Sequence, residues 1–129
     1  MTSASRWLAI AVFALANSLN FMDRQILAAL APDLMREFHI TAAGFGDVLL
    51  AFSLTYALAA PAAGLLIDRI GLRLGSALAV GFWSLAGMAT GWTSTLTGLT
   101  LCRAALGAGE AGGIPATGKA SAVYLPPRE

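Results

Sequence analysis

Charge is scarce in this chain. Of its 129 residues, eight are Lys or Arg and seven are Asp or Glu, or 12% in all. A soluble domain carries roughly 25% charged residues, so fifteen charges cannot cover a water-facing surface. The net charge is +1, which leaves no basic footprint for nucleic acid. Cysteine occurs once, at Cys102, and histidine once, at His39. A disulfide framework and a zinc knuckle are each excluded by those two counts. No metal and no organic cofactor are expected. Nothing supplies a nucleophile with a base, so no enzyme is expected either.

What is present is apolar. Hydrophobic residues make up 57% of the chain, and the mean hydropathy is +0.73. Disorder needs the opposite balance. A bilayer span takes roughly 20 residues, so the length accommodates about four spans with short loops. Twenty-seven alanines and fourteen glycines make about a third of the chain, and such small residues let membrane helices approach closely. The expected fold class is therefore an all-α membrane protein of four transmembrane helices.

Apolar runs place those spans at about 7–31, 46–67, 74–92 and 96–116. Arg6, the following apolar run and Ala14-Leu15-Ala16 also resemble a secretory leader. The run continues past that point and three more follow, which favours a retained first helix. Asp33 to Ala43 reads as a polar loop containing a solvated His39. Lys119 to Glu129 reads as an amphipathic tail. With both ends cytoplasmic, the inner segments hold Arg6, Arg69, Arg73, Lys119 and Arg128, while the outer loops hold only Arg36. That asymmetry sets the expected orientation.

Four ionisable residues then lie at membrane depth: Asp23, Arg24, Arg103 and Glu110. Each costs roughly 2.5–3.5 kcal/mol at a helix centre, so each must face a protein interior or an aqueous cavity. Arg103, Gly107 and Glu110 stand at i, i+4 and i+7, on one helix face. About 10 Å of axial rise separates Arg103 from Glu110, so each needs a partner from elsewhere. Asn17, Asn20 and Arg24 form a matching stripe on the first helix, with Asp23 at its flank. Two facing polar stripes describe a cavity wall on which an arginine binds an anion and a carboxylate carries a proton. A static salt-bridge network is the alternative. Ser53, Thr55 and Tyr56 add hydroxyls on the second span. Cys102 reads as inert packing, Pro61 and Pro115 as tolerated kinks, and Gly87-x-x-x-Gly91 and Gly109-x-x-x-Gly113 as close helix contacts.

The turn after the second span reads Gly64-Leu65-Leu66-Ile67-Asp68-Arg69-Ile70-Gly71-Leu72-Arg73. It resembles the cytoplasmic loop motif of the major facilitator superfamily, G-x-x-x-D-R-x-G-x-R, in which Gly64, Asp68, Arg69, Gly71 and Arg73 are the matching positions. Asn20-Phe21-Met22-Asp23-Arg24 is similar to the N-Y-x-D-R of that family's anion:cation symporter branch. Phe52-Ser53-Leu54-Thr55-Tyr56-Ala57 is similar to its F-x-x-x-Y-A. Arg103 to Ala111, followed by Pro115-Ala116, Lys119 and Leu125-Pro126, is similar to R-x-x-x-G-x-G-E-A, P-A, K and F-P. Gly113 departs from the polar Asn of several sugar-acid members, which counts against a sugar acid.

The resemblance implies proton-coupled symport of a small organic anion such as a sugar acid or carboxylate, across the inner (plasma) membrane. Arg24 and Tyr56 would contact the substrate carboxylate. Asp23 and Glu110 would carry the coupling protons, and Arg103 would pair with one of these acids once it is deprotonated. The loop would gate the transporter against helices of a second half. The family has about twelve spans in two halves, so the chain reads as an N-terminal fragment, partnered by the bilayer and by C-terminal helices of its own full-length chain. A self-contained four-helix protein, working as an oligomeric small exporter or a structural membrane subunit, is the alternative.

Overall fold

The computed structural model describes residues 3–125. Pro126, Pro127, Arg128 and Glu129, which carry the end of the last motif and one inner positive charge, lie outside the described residues. Every regular element among the described residues is helical: α1 (Ser3–Ala29), α2 (Ala31–Glu37), α3 (Ala42–Ile70), α4 (Leu72–Thr90), α5 (Leu96–Glu110) and α6 (Gly113–Tyr124).

Local chemistry sets the boundaries. Pro32 stands in the first turn of α2, where its missing N–H costs nothing. Asp33 in the first turn and Arg36 in the last complement the α2 dipole. These three residues make a short helix of the stretch expected to be a loop, and α1 ends at Ala29 rather than at Ala31. Only the remainder of that stretch turns, and His39 takes φ 53° there and is exposed. Thr41 caps α3 by accepting from the Gly44 N–H at 3.3 Å, and Thr95 caps α5 through the Gly98 N–H at 3.1 Å. Gly71 joins α3 to α4 at φ 89°, a conformation that a side chain would strain.

The span expected at 96–116 is interrupted. Pro115 has no N–H to offer the Ala111 carbonyl, and the α-helix stops at Glu110 before resuming at Gly113. Ala111 (φ −57°, ψ −23°) and Gly112 (φ −76°, ψ −13°) stay in the right-handed region, so the chain kinks without reversing. α6 then runs through Tyr124, which makes most of the expected tail helical. Pro61 lies within α3 without ending it.

α5 is wedged between α3 and α4, while α1 packs along α6. Glycines make the wedge possible. A Cβ on Gly107 would collide with the Phe52 carbonyl and come within 2.6 Å of Thr55 Oγ1 on α3. One on Gly109 would lie 2.8 Å from Phe82 and 3.0 Å from Trp83 on α4. Two small cores result. Phe52, Trp83, Ala86 and Leu106 form the first, with Tyr56 packed against it. Ile67, Leu72, Ala116 and Ala120 form the second, beside Phe13 and Tyr124.

The outer faces are apolar, with Leu54, Leu58 and Leu65 of α3 and Leu74, Leu78 and Leu85 of α4 all exposed. Apolar surface on this scale marks an interaction with lipid or protein. By length and composition, α3 and α4 can each cross a membrane. α1 carries Arg6, Asp23 and Arg24, and α5 has 15 residues before the kink.

Candidate functional site

Three helices converge on one arginine. Arg24 lies on α1, two turns after Asn17 and one after Asn20, so all three share a face. Its guanidinium donates to Glu110 Oε2 from Nη2 at 3.2 Å and from Nε at 3.3 Å. The same Nη2 donates to Asn20 Oδ1 at 2.9 Å. From α3, two stacked rings support it: the Arg24 carbon Cζ lies 5.0 Å from the Phe52 centroid and 4.7 Å from that of Tyr56. Phe52 and Tyr56 are spaced i, i+4, with centroids 5.9 Å apart, and cations sit well over such faces.

The kink between α5 and α6 completes the arrangement. Asn20 Nδ2 reaches the Glu110 main-chain carbonyl at 3.5 Å, beside the break. A Cβ on Gly113 would lie 3.4 Å from Asn20 Nδ2 and 3.6 Å from Asn17 Oδ1, so the α1 polar stripe faces the kink itself. Glu110 is fully buried, whereas the Arg24 side chain keeps 36% of its exposure. Glu110 Oε1 is buried without a partner among the described residues. The pair thus has a sealed acidic end and an accessible basic end.

Arg103 and Asp23 occupy a different wall. Together with Leu27, Glu37, Thr90 and Leu106 they line a cavity of about 350 Å³ between α1, α2, α4 and α5. Arg103 is buried, its Nε has no partner, and it forms no ion pair among the described residues. Of the four groups Asp23, Arg24, Arg103 and Glu110, the acid that finds an arginine is Glu110, and the arginine is Arg24. Ser53 and Thr55 do not reach this cluster, because each hydroxyl bonds a carbonyl of its own helix: Leu49 at 3.0 Å, Ala51 at 2.9 Å and Phe52 at 3.0 Å. Among the described residues no group of three or more His, Cys, Asp or Glu could hold a metal ion.

The loop motif is tied to α6. Lys119 Nζ sits 2.5 Å from Asp68 Oδ1 and 3.5 Å from the Ile67 carbonyl at the end of α3. Gly64 lies near Pro115, which its Cβ would approach to 3.8 Å, while Arg69 and Arg73 are exposed.

One residue of this site and one contact carried too little sequence signal to be singled out. Phe52 appeared only as a motif letter, although its i, i+4 spacing to Tyr56 marks a shared face. The Asn20 contact depends on a kink whose consequence for the Glu110 carbonyl no periodicity records.

Residues 13–129 match the family described as Major Facilitator Superfamily. The chain is 36% identical over 124 residues to the hexuronate transporter of Escherichia coli (strain K12), covering 96% of this chain and 29% of that protein. It is 32% identical to the galacturonate transporter of Dickeya chrysanthemi, over 96% of this chain and 36% of the other. To the D-galactonate transporter of Escherichia coli O6:H1 it is 30% identical, over 96% and 29%. The chain therefore spans about a third of the length of these relatives.

Proposed function

The chain belongs to the Major Facilitator Superfamily, a family of membrane transporters rather than enzymes, and from that membership we propose that it forms part of a proton-coupled symporter for a sugar acid. Relatives named for hexuronate, galacturonate and galactonate support a sugar-acid anion as substrate. In this reading α1, α3, α4 and the kinked α5–α6 run are the four spans, with both ends of the chain on the cytoplasmic side of the inner membrane. The remaining helices of the transporter supply the opposite wall of the site.

The observation that carries the proposal is the competition built around Arg24. Its guanidinium is shared between Glu110 Oε2 and Asn20 Oδ1 and is still partly accessible. Uncompensated charge is costly at membrane depth. While Glu110 is ionised, it neutralises Arg24. When Glu110 takes up a proton, Arg24 is left with a charge that a substrate carboxylate can neutralise, in the two-point geometry the guanidinium offers. Proton and anion are then bound together, and the release of either favours the release of the other. The Tyr56 hydroxyl joins Arg24 in contacting the carboxylate, and its ring with that of Phe52 keeps the guanidinium in place. Asp23 is the second proton carrier, and Arg103 across the neighbouring cavity is its counter-charge.

The test is uptake of labelled hexuronate and galactonate by cells expressing the full chain, with and without an imposed pH gradient. Accumulation that collapses with the gradient supports the reading. Gradient-independent equilibration, or no uptake of any sugar acid, overturns it.

A further inference from the structure

Away from the Arg24 site, α3, α4 and α5 enclose an apolar cleft of about 520 Å³ that opens on the outer face of the bundle. Leu66 of α3 and Leu78, Phe82 and Leu85 of α4 form its rim, and all four are exposed. Gly109 of α5 and Gly112 of the kink after it form its floor and are buried. Part of the cleft's lining is small, and a Cβ on Gly81 would meet only open space, with nothing within 4 Å. Along α4 it extends from Gly75 to Leu85, which is about 15 Å at the α-helical rise. The hydrocarbon core of a bilayer is about 30 Å thick, so the cleft runs the depth of one leaflet.

One end of the cleft is basic. Arg69 follows Leu66 by three residues and Arg73 precedes Ala77 by four, spacings that put each arginine on the same helix face as a cleft residue. Asp68, the acid next to them, is held by Lys119 at 2.5 Å. Arg69 and Arg73 are exposed and make no ion pair among the described residues. A leaflet-deep apolar groove that ends at two unpaired arginines is complementary to a molecule with an anionic head and a hydrocarbon chain.

We propose that this cleft binds an anionic phospholipid, its phosphate at Arg69 and Arg73 and one acyl chain along Gly75, Gly81 and Leu85. The proposal rests on the membrane reading of the chain but not on the role of Arg24, so lipid binding and transport can fail separately. A free phosphate satisfies the arginines and leaves the apolar groove unfilled. The lipid occupies both, and it links the loop motif to the composition of the surrounding leaflet.

The experiment is native mass spectrometry of the full chain purified in detergent, supplied with phosphatidylglycerol or with phosphatidylcholine of the same acyl chains. Phosphatidylglycerol is expected to be retained preferentially. Each of Arg69→Gln and Arg73→Gln should weaken that retention about five-fold, the effect of one basic residue at an anionic surface. Gly81→Leu, which points into open space, should fill the groove and displace lipid while substrate binding at Arg24 is unchanged. Equal retention of the two lipids, or phosphatidylglycerol retention unaltered in the Arg69→Gln/Arg73→Gln double variant or in Gly81→Leu, overturns the proposal. So does crosslinking of Gly81→Cys, in a Cys102→Ser background, to another helix of the same chain.

Discussion

Arg24 and Glu110, 86 residues apart, meet through a single carboxylate oxygen: Nη2 and Nε of the guanidinium both donate to Oε2, while Oε1 is left buried and unpartnered. A fork held by one oxygen uses only part of what a guanidinium offers a carboxylate. The geometry is that of an exchangeable partner, strong enough to neutralise a charge and incomplete enough to be replaced by a ligand with two oxygens to present. The other contacts on Arg24, from Asn20 and the faces of Phe52 and Tyr56, leave the charge in place and only fix its position.

It follows that Arg24→Ala should abolish sugar-acid uptake by the full chain. Arg24→Lys keeps the charge and loses the fork, so its KM should rise by about ten- to a hundred-fold, the scale of one to two charge-assisted hydrogen bonds. Uptake kinetics in whole cells measure both variants. An Arg24→Ala protein that still accumulates substrate would end the substrate role.

Glu110→Gln should separate exchange from accumulation. The amide can still accept from Arg24 but cannot ionise, so the site remains permanently in its proton-loaded state. Exchange of external for internal anion should persist, and gradient-driven accumulation should be lost. If the proton is a co-substrate, wild-type uptake should rise as external pH falls, and Glu110→Gln exchange should be flat over the same range. Proteoliposome counterflow at several pH values tests this, and unchanged accumulation refutes the coupling role.

Legibility in the sequence followed the range of the interaction. Helix periodicity reports neighbours three and four residues apart, so the Asn17, Asn20 and Arg24 stripe and the Arg103, Gly107 and Glu110 stripe were both readable. That Arg103 and Glu110 are too far apart to pair was readable as well. Which arginine Glu110 meets was not, because the helix rotations that decide it depend on contacts such as Gly107 against Phe52. The kink at Ala111-Gly112 traces to Pro115, a visible residue, but its use by Asn20 is a tertiary fact. α2 was missed because apolar periodicity dominates the reading of so hydrophobic a chain. Its signals are a proline and three charges in seven residues.

Gly107→Ala tests the packing that brings α3 and α5 together. The added methyl meets the Phe52 carbonyl, which is backbone and cannot turn aside, and Thr55 Oγ1, which can. Overpacking of this kind costs about 1–3 kcal/mol. A lowered thermal midpoint in detergent is expected, and adding Thr55→Ala should recover only a minor share. A midpoint equal to wild type would mean that α3 and α5 are less closely apposed.

The Asp68–Lys119 pair calls for a different experiment, because its magnitude points away from stability. Its side chains keep 65% and 32% of their exposure, and exposed pairs contribute roughly 0–1 kcal/mol. Asp68→Asn and Lys119→Gln should therefore barely shift the thermal midpoint. If the loop gates transport, both should still lower uptake severalfold, through the connection they break between the α3–α4 turn and α6. The charge reversal Asp68→Lys with Lys119→Asp should restore part of that loss. Full recovery is not expected, since Lys119 also donates to the Ile67 carbonyl at the end of α3, and an aspartate there presents acceptor to acceptor at the negative end of a helix. Uptake rates for the two single variants and the reversal decide the matter. No recovery in the reversal would mean that the contact between these two residues is not what transmits the effect.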